Sequence, residues 1–425
     1  MSMEELPDEV LAIVLSFLAP RDLLLSVERL SLRFRALLSD EGTLTIFIYL
    51  LWSYLLKSYD GRQLPTATTT HDAAGGRRRG GGKLRAKWEE RIRSESGWKA
   101  LLKAQHMVTK DASSTRCYCM LFDEEQDVLL SGNTSGEVQV RRLGTSEMLN
   151  SWVAHKRGYL YSMTFVPSPE GNRLATGALD QVVRLWDLNQ GQELCHLSGH
   201  TGSINALCVM PGDNKLVSCS VDHSTRVWDL EKEECAMVLV PEQQDSVKSV
   251  NCVLPWGPRE VMTANNKGEL LIFDTASGLV VATLQSGLRT ILSLLRNPQN
   301  SNEIFVGGGP LRSESAGFPV LSYDVRMVNG HELVPLKRYL GNSEWVETAT
   351  FNGLGHLVTG SNDGSINVFD VESGNCISKR WNNGNHSHAV SRLDRRITCM
   401  QASPLRLVSG SMDGLIRHWD FAPAF

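Results

Sequence analysis

Two hydrophobic periods divide the chain. Near its start the apolar positions keep helical spacing: in "LPDEVLAIVLSFLAPRDLL", Val10, Ile13, Val14, Phe17 and Leu18 form one stripe. Pro7 is tolerated in a first helical turn, and Asp8 and Glu9 favour the positive end of the helix dipole. "APRD" breaks this helix, and "LLLSVERL" and "SLRFRALLSD" predict two more. The run "LTIFIYLLWSYLL" at 44–56 is too short to cross about 30 Å of hydrocarbon, so it reads as a buried helix. Beyond residue 115 the pattern changes to short strands. An apolar run such as "INALCVM" is followed by "KLVSCS", a tight turn and a third strand. The turns "SNDGS" (361–365) and "SMDGL" (411–415) place Asp and Gly where a hairpin needs them.

The strand pattern repeats. The third strands read "VRLWD" to Asp187, "TRVWD" to Asp229, "LLIFD" to Asp274, "VLSYD" to Asp324, "INVFD" to Asp370 and "IRHWD" to Asp420. "VQVRR", ending at Arg142, aligns as a degenerate seventh, and the successive intervals are 45, 42, 45, 50, 46 and 50 residues. This resembles WD repeats, whose period of about 40–45 residues builds one four-stranded propeller blade. In that family a His, a Ser/Thr, the turn Asp and the strand Trp form a buried hydrogen-bonded set. His200, a serine in "VSCS", Asp222 and Trp228 match it, and so do His155, Asp180 and Trp186. The fourth and fifth repeats lack the His and the turn Asp and carry Phe273 and Tyr323 for Trp, so packing must hold them. Only "FAPAF" follows Asp420, so the expected outer strand of the last blade is the segment ahead of the first repeat, about Lys99–Lys110.

Charge separates the parts further. Residues 1–60 are net −4, 61–104 net +7 and the remainder net −7, so a basic connector lies between acidic blocks. The insertion "LPTATTTHDAAGGRRRGGG" (64–82) has no apolar period and is expected to be disordered; its "RRR" reads as part of a solvated loop. An acidic propeller disfavours nucleic-acid binding. Nine scattered cysteines without a C-x-x-C point to reduced, packed thiols; Cys117 and Cys119 need not face one another. The acidic first ten residues do not form a signal peptide, and an intracellular location, cytoplasmic and/or nuclear, is expected, with no membrane partner.

The front end resembles the F-box. Leu6-Pro7 opens it, Ile13 and Leu18 supply the apolar face, Pro20 breaks the helix, and Asp22-Leu23 begins the next; "SLRFR" places Phe34 where the family often has Trp. "KLRAKWEERIRSESGWKALLK" (Lys83–Lys103), with Trp88 and Trp98, resembles the helical linker of F-box/WD-repeat proteins, which joins "LW" (Leu51-Trp52) to the first blade. The expected fold class is an all-β seven-bladed WD-repeat propeller preceded by a small all-α F-box and helical linker. The expected domains are F-box helices at 1–60, a disordered basic insertion at 61–83, the linker helix at 84–104 and the propeller at 105–425. The resemblance implies the substrate-recognition subunit of a Skp–cullin–F-box E3 ubiquitin ligase. Leu6, Pro7, Ile13, Leu18 and Leu23 would contact a Skp-type adaptor, and through it cullin and RING subunits, while the propeller holds a protein substrate. The alternative is a WD-repeat scaffold with no ubiquitin-ligase role.

No catalytic constellation, cofactor loop or metal set is expected. "GGGP" (307–310) lacks the Lys-Ser/Thr of a phosphate loop, and "HSH" (386–388) lacks a third ligand. The family's phosphopeptide readers carry arginines at the second position of each blade's inner strand. Counting back from the second strands places that position at Tyr118, Tyr161, Asn205, Lys248, Leu292, Glu347 and Thr398, of which one is basic. A dianionic phosphate prefers a cluster of arginines, so this face is expected to take an unmodified peptide or a folded partner. Arg312, in "PLRSESAGFP", is the remaining route to a phosphate.

Overall fold

A computed structural model describes residues 106–110 and 115–420, apart from 125, 144, 157, 168–172, 242–247, 311–317, 382–395 and 405. The expected F-box helices with the five expected adaptor contacts, the expected insertion and linker helix, "HSH" and Arg312 lie outside the described residues. Those described contain 28 strands and no α-helix.

The strands group into seven antiparallel units of four. Blades 1 to 6 run over 117–153, 160–197, 204–239, 250–285, 291–339 and 346–381. Blade 7 takes three strands from 397–420 and its outermost one from His106–Lys110, which pairs antiparallel with Leu415–Asp420. The segment ahead of the first repeat therefore closes the last blade. Each inner strand touches the inner strand of the next blade, and the inner strand of blade 1 also touches that of blade 7, so the ring is shut.

Burial follows this position. The second strands, such as "RLATGA" and "KLVSCS", are buried after their first residue because neighbouring blades cover both faces. The outer strands, such as "ECAMVL", alternate because one face meets water. Blades must also approach closely, and glycines make room. A Cβ added at Gly177 would lie 2.6 Å from the side chain of Ile204, and one at Gly360 2.7 Å from that of Ile397; each partner begins the next blade's inner strand.

The polar sets form in blades 2 and 3. Trp228 Nε1–H donates to Ser218 Oγ (2.8 Å), which lies 2.8 Å from His200 Nε2, and His200 Nδ1 is 2.7 Å from Asp222. The tautomer that satisfies every partner has Nδ1–H donating to Asp222 and Nε2 accepting from Ser218. In blade 2 the same chain runs Trp186–Thr176–His155–Asp180 at 2.8–2.9 Å, with Arg184 donating to Asp180 at 2.6 Å. Blade 6 substitutes Asn342, whose Oδ1 accepts from Thr359 (3.1 Å) and Asn367 (2.6 Å), beside Phe369. Blades 4 and 5 have neither device. A continuous apolar cluster joins them instead, from Cys252 and Met262 through Leu270 to Ile304, Leu321 and Tyr323, whose hydroxyl donates to the Ser286 carbonyl. Their outer strands also meet: Gln285 pairs with Glu332, and Gln285 N–H donates to the His331 carbonyl at 2.7 Å.

The blade-2 set predicts a pH effect. Burial opposes ionisation of Asp180, but hydrogen bonds from His155 and Arg184 outweigh it and hold its pKa at about 2. A depressed carboxyl contributes stability above its unfolded pKa, about 3.9, and that contribution is lost as pH falls towards 2. Asp180→Asn is expected to destabilise by about 1–3 kcal/mol at neutral pH. Urea midpoints measured from pH 6 to pH 2 should show the gap between wild type and variant closing below about pH 4. A gap constant across that range would rule out this role for Asp180.

Candidate functional site

The axial face where the inner strands begin is also where each second strand ends, so it gathers two loops from every blade. One local irregularity recurs on it. Every inner strand carries a bulge after its first residue: between Cys117 and Cys119, Leu160 and Ser162, Ile204 and Ala206, Val250 and Cys252, Ile291 and Ser293, Val346 and Thr348, and Ile397 and Cys399. The residue passed over in each is left out of the ladder and freed from strand alternation. These residues are Tyr118, Tyr161, Asn205, Asn251, Leu292, Glu347 and Thr398.

Six of the seven positions expected from sequence therefore occupy one equivalent place. The seventh is corrected: Lys248 precedes its strand, and Asn251 holds the position. Asn251 lies nine residues before the second strand starts at Glu260, the separation Glu347 has from His356 in blade 6, whereas Lys248 lies twelve before it. Lys248 instead bonds Glu269, with Nζ 3.0 Å from Oε2. No residue of this ring is basic.

Three ring members fasten blade to blade. Asn205 Nδ2 donates to the Val250 carbonyl and Asn251 Nδ2 to the Ile291 carbonyl, each at 2.8 Å, and Thr398 Oγ1 donates to the Cys117 carbonyl across the closing seam. Gln401 reinforces that seam: its Oε1 accepts from Phe122 N–H at 2.7 Å. None of the nine cysteines is in a disulfide. The Cys117 sulfur lies 3.6 Å from that of Cys399 in this seam, whereas the Cys119 thiol turns to the Leu160 carbonyl (3.3 Å) in the next.

A second ring lies two residues earlier and was not foreseen from sequence: Arg116, Tyr159, Ser203, Ser249, Thr290, Trp345 and Arg396. Each backbone carbonyl accepts, at 2.9–3.1 Å, from the residue that follows the second strand of the same blade, Thr134, Leu179, Val221, Asn266, Gly309, Asn362 and Met412 respectively. The signal that locates this ring is the bulge, which exists only once the strands are paired.

The face is lopsided. Blades 3, 4 and 5 present Asn, Ser, Thr, Leu, Val and Gly at these positions, whereas blades 6, 7, 1 and 2 present every charged and every aromatic residue of the rings. Tyr118 stands edge-on to Tyr159 and Tyr161, with centroids 5.7 and 5.4 Å away, and those two stack at 6.1 Å. Tyr159, Leu179 and Trp345 are exposed. Burial raises the Tyr118 pKa, as does the neighbouring Tyr159, while the nearby Arg116 and Arg396 oppose the rise. Burial likewise pushes up the Glu347 carboxyl, against the pull of Arg396 and a hydrogen bond from Asn362. Both arginines thus stand within electrostatic reach of one tyrosine, and Arg396 is shared with Glu347.

Among the described residues no group of His, Cys, Asp and Glu could hold a metal, and no helix is long and apolar enough to cross a membrane.

The chain carries WD repeats. The sequence profile "WD domain, G-beta repeat" matches residues 146–187, 191–229, 333–370 and 384–420. The first three matches each join the outer strand of one blade to the next blade's first three strands, the fourth covers the three strands of blade 7 within 397–420, and the matched blades are 2, 3, 6 and 7. The chain is 29% identical over 249 residues to the DENN domain and WD repeat-containing protein SCD1 of Arabidopsis thaliana, covering 58% of this chain and 18% of that protein. It is 26% identical over 280 residues to transducin beta-like protein 3 of Bos taurus, covering 60% and 32% respectively. It is 30% identical over 113 residues to the small ribosomal subunit protein RACK1 of Drosophila melanogaster, 26% of this chain and 34% of that one. The chain thus spans about a third or less of each of these relatives.

Proposed function

We propose that this WD-repeat chain is a non-catalytic interaction scaffold of the cytoplasm or nucleus that holds a protein partner on the axial face where its inner strands begin. The observation that carries the reading is the exposed Tyr159, Leu179 and Trp345 on the same axial face as the exposed Arg116, where Asn205, Asn251 and Thr398 are spent on joining blades. Exposed aromatic and arginine side chains grouped on a rigid frame are what a protein interface uses as anchors. The test places a photo-crosslinking amino acid at Tyr159 or Trp345 and, for comparison, at Leu194 or Val281 on outer strands. Adducts should form from the axial positions; equal yields from the outer strands would overturn the assignment of the face.

A second reading rests on the motif from Leu6-Pro7 to Leu23 and on the Trp88…Trp98 connector. In it the same propeller is the substrate-holding half of a Skp–cullin–F-box ligase, and tethering raises the local concentration of a charged ubiquitin-carrying enzyme around the bound protein. Purified Skp-type adaptor should then be retained by the full chain and lost by about tenfold or more in Leu6→Ala/Pro7→Ala, as expected for anchor residues. No retention by wild type ends this reading and leaves the scaffold in place.

A further inference from the structure

The unequal distribution of side chains around the axial face specifies what it binds. We infer that blades 6, 7, 1 and 2 form a reading sector for an unmodified peptide segment in which a carboxylate residue lies beside an aromatic or large aliphatic one. This rests on the proposal that the face holds a protein partner, and adds the chemistry of that partner.

The electrostatic argument counts charges. Arg116 and Arg396 precede the inner strands of adjacent blades at equivalent ring positions, and both act on Tyr118. Glu347, one blade further round, acts on the same tyrosine and shares Arg396. At the ring positions of this sector the charged residues are Arg116, Arg396 and Glu347, one net positive charge with Glu347 ionised. A single carboxylate complements it, whereas a dianionic phosphate would find only half its charge matched and Glu347 repelling it. The apolar argument is geometric. Tyr159 and Trp345 are exposed on opposite flanks of the two arginines, and the stacked Tyr159 and Tyr161 present a rigid surface braced by Tyr118. Aromatic side chains with few rotamers lose little entropy on binding and give large contact area. The other half of the ring lacks both features: Ser203, Ser249 and Thr290 replace the arginines and aromatics, and Asn205 and Asn251 already bond the next blade.

A peptide array probed with the full chain tests this. It carries random heptapeptides and four matched sets in which the residue beside a central Phe, Trp or Leu is Glu, Gln, Lys or phosphoserine. The expected result is capture of the Glu set above the other three. Arg116→Gln and Arg396→Gln should each weaken Glu-set capture by about tenfold, the scale of one lost charge-assisted hydrogen bond. Tyr159→Ala should weaken capture of the Glu and Gln sets alike, and Ser249→Ala should leave all four unchanged. Far-ultraviolet circular dichroism and the thermal midpoint show whether each variant is folded, and Arg116→Gln, at an exposed position, decides the matter if Arg396→Gln is not. Preference for phosphoserine, for Lys, or indifference to charge overturns the carboxylate assignment while leaving the face as a protein-binding surface. Capture that ignores Tyr159→Ala, or no capture at all, overturns both.

Discussion

Gly268→Ala is expected to destabilise the propeller by about 3 kcal/mol or more, read as a fall in the urea midpoint followed by tryptophan fluorescence. Two effects add. Gly268 closes the turn between the second and third strands of blade 4 with φ +74°, a left-handed conformation that costs an L-residue about 1–2 kcal/mol. Its Cβ would also lie 1.9 Å from the carbonyl oxygen of Leu288, on the loop that leads into blade 5. That carbonyl cannot simply retreat. The Gly268 carbonyl itself accepts from Ser286 N–H at 3.0 Å and Ser286 Oγ at 2.9 Å, and Leu288 is fully buried in the cluster shared by blades 4 and 5. Overpacking of this kind costs about 1–3 kcal/mol. Gly212→Ala separates the two effects: Gly212 has φ +79° and nothing within 4 Å of its Cβ position. It should lose only about 1 kcal/mol, since the stiffer unfolded chain offsets part of the strain. Equal losses at the two sites would mean that the contact with Leu288 contributes nothing. Gly136, φ +75° with the His155 carbonyl 2.0 Å from its Cβ position, should behave like Gly268.

The same turns show why some blades were plain in the sequence and others were not. Blades 2, 3, 6 and 7 all carry a turn Asp, at 180, 222, 363 and 413, and these are the four blades that match the WD-repeat profile. An Asp that accepts a backbone N–H group in the turn, and at 180, 222 and 413 also holds a His or Arg, is a fixed requirement, and it leaves a fixed letter. Where apolar packing replaces it, as in the cluster from Met262 to Tyr323, many combinations of side chains fill the space equally well and only the spacing of strand ends remains readable. Spacing placed Phe273 at the end of its strand, which stops at Asp274, whereas the strand that carries Tyr323 runs past Asp324 to Asn329. Spacing misplaced Lys248 because hairpin length inside a blade is free to vary. The arginine pair at 116 and 396 lay hidden for a different reason: both precede their strands, at 117 and 397, and strand alternation says nothing of residues ahead of a strand.

The largest effect is expected at the closing strand. Pairing runs from His106 with Trp419, through Val108 with Arg417, to Lys110 with Leu415. Without it, the strand Leu415–Asp420 becomes an open edge beside a core containing the buried Ile416 and Trp419. Removing residues 1–104 keeps His106–Lys110 and should leave a monomer with one cooperative transition. Removing residues 1–112 should lower the thermal midpoint sharply and give oligomers by light scattering after size exclusion, because an unpaired edge adds strands from other copies. Ladder hydrogen bonds contribute about 0.5–1.5 kcal/mol each, so loss of this strand amounts to several kcal/mol, a large part of what a folded domain has. A synthetic peptide spanning 104–112 should restore the monomer to the shorter chain, and Val108→Pro in the full chain should mimic the deletion in part by distorting the middle of the ladder. The strand would be dispensable if the chain lacking 1–112 stayed monomeric with an unchanged midpoint. The closing seam is also where Thr398 and Gln401 reach the backbone of blade 1, a few residues from Arg116 and Arg396. Loosening the outer strand of blade 7 should therefore also weaken peptide capture by the reading sector, and Val108→Pro, assayed on the same array at a temperature where it remains folded, measures how far the one depends on the other.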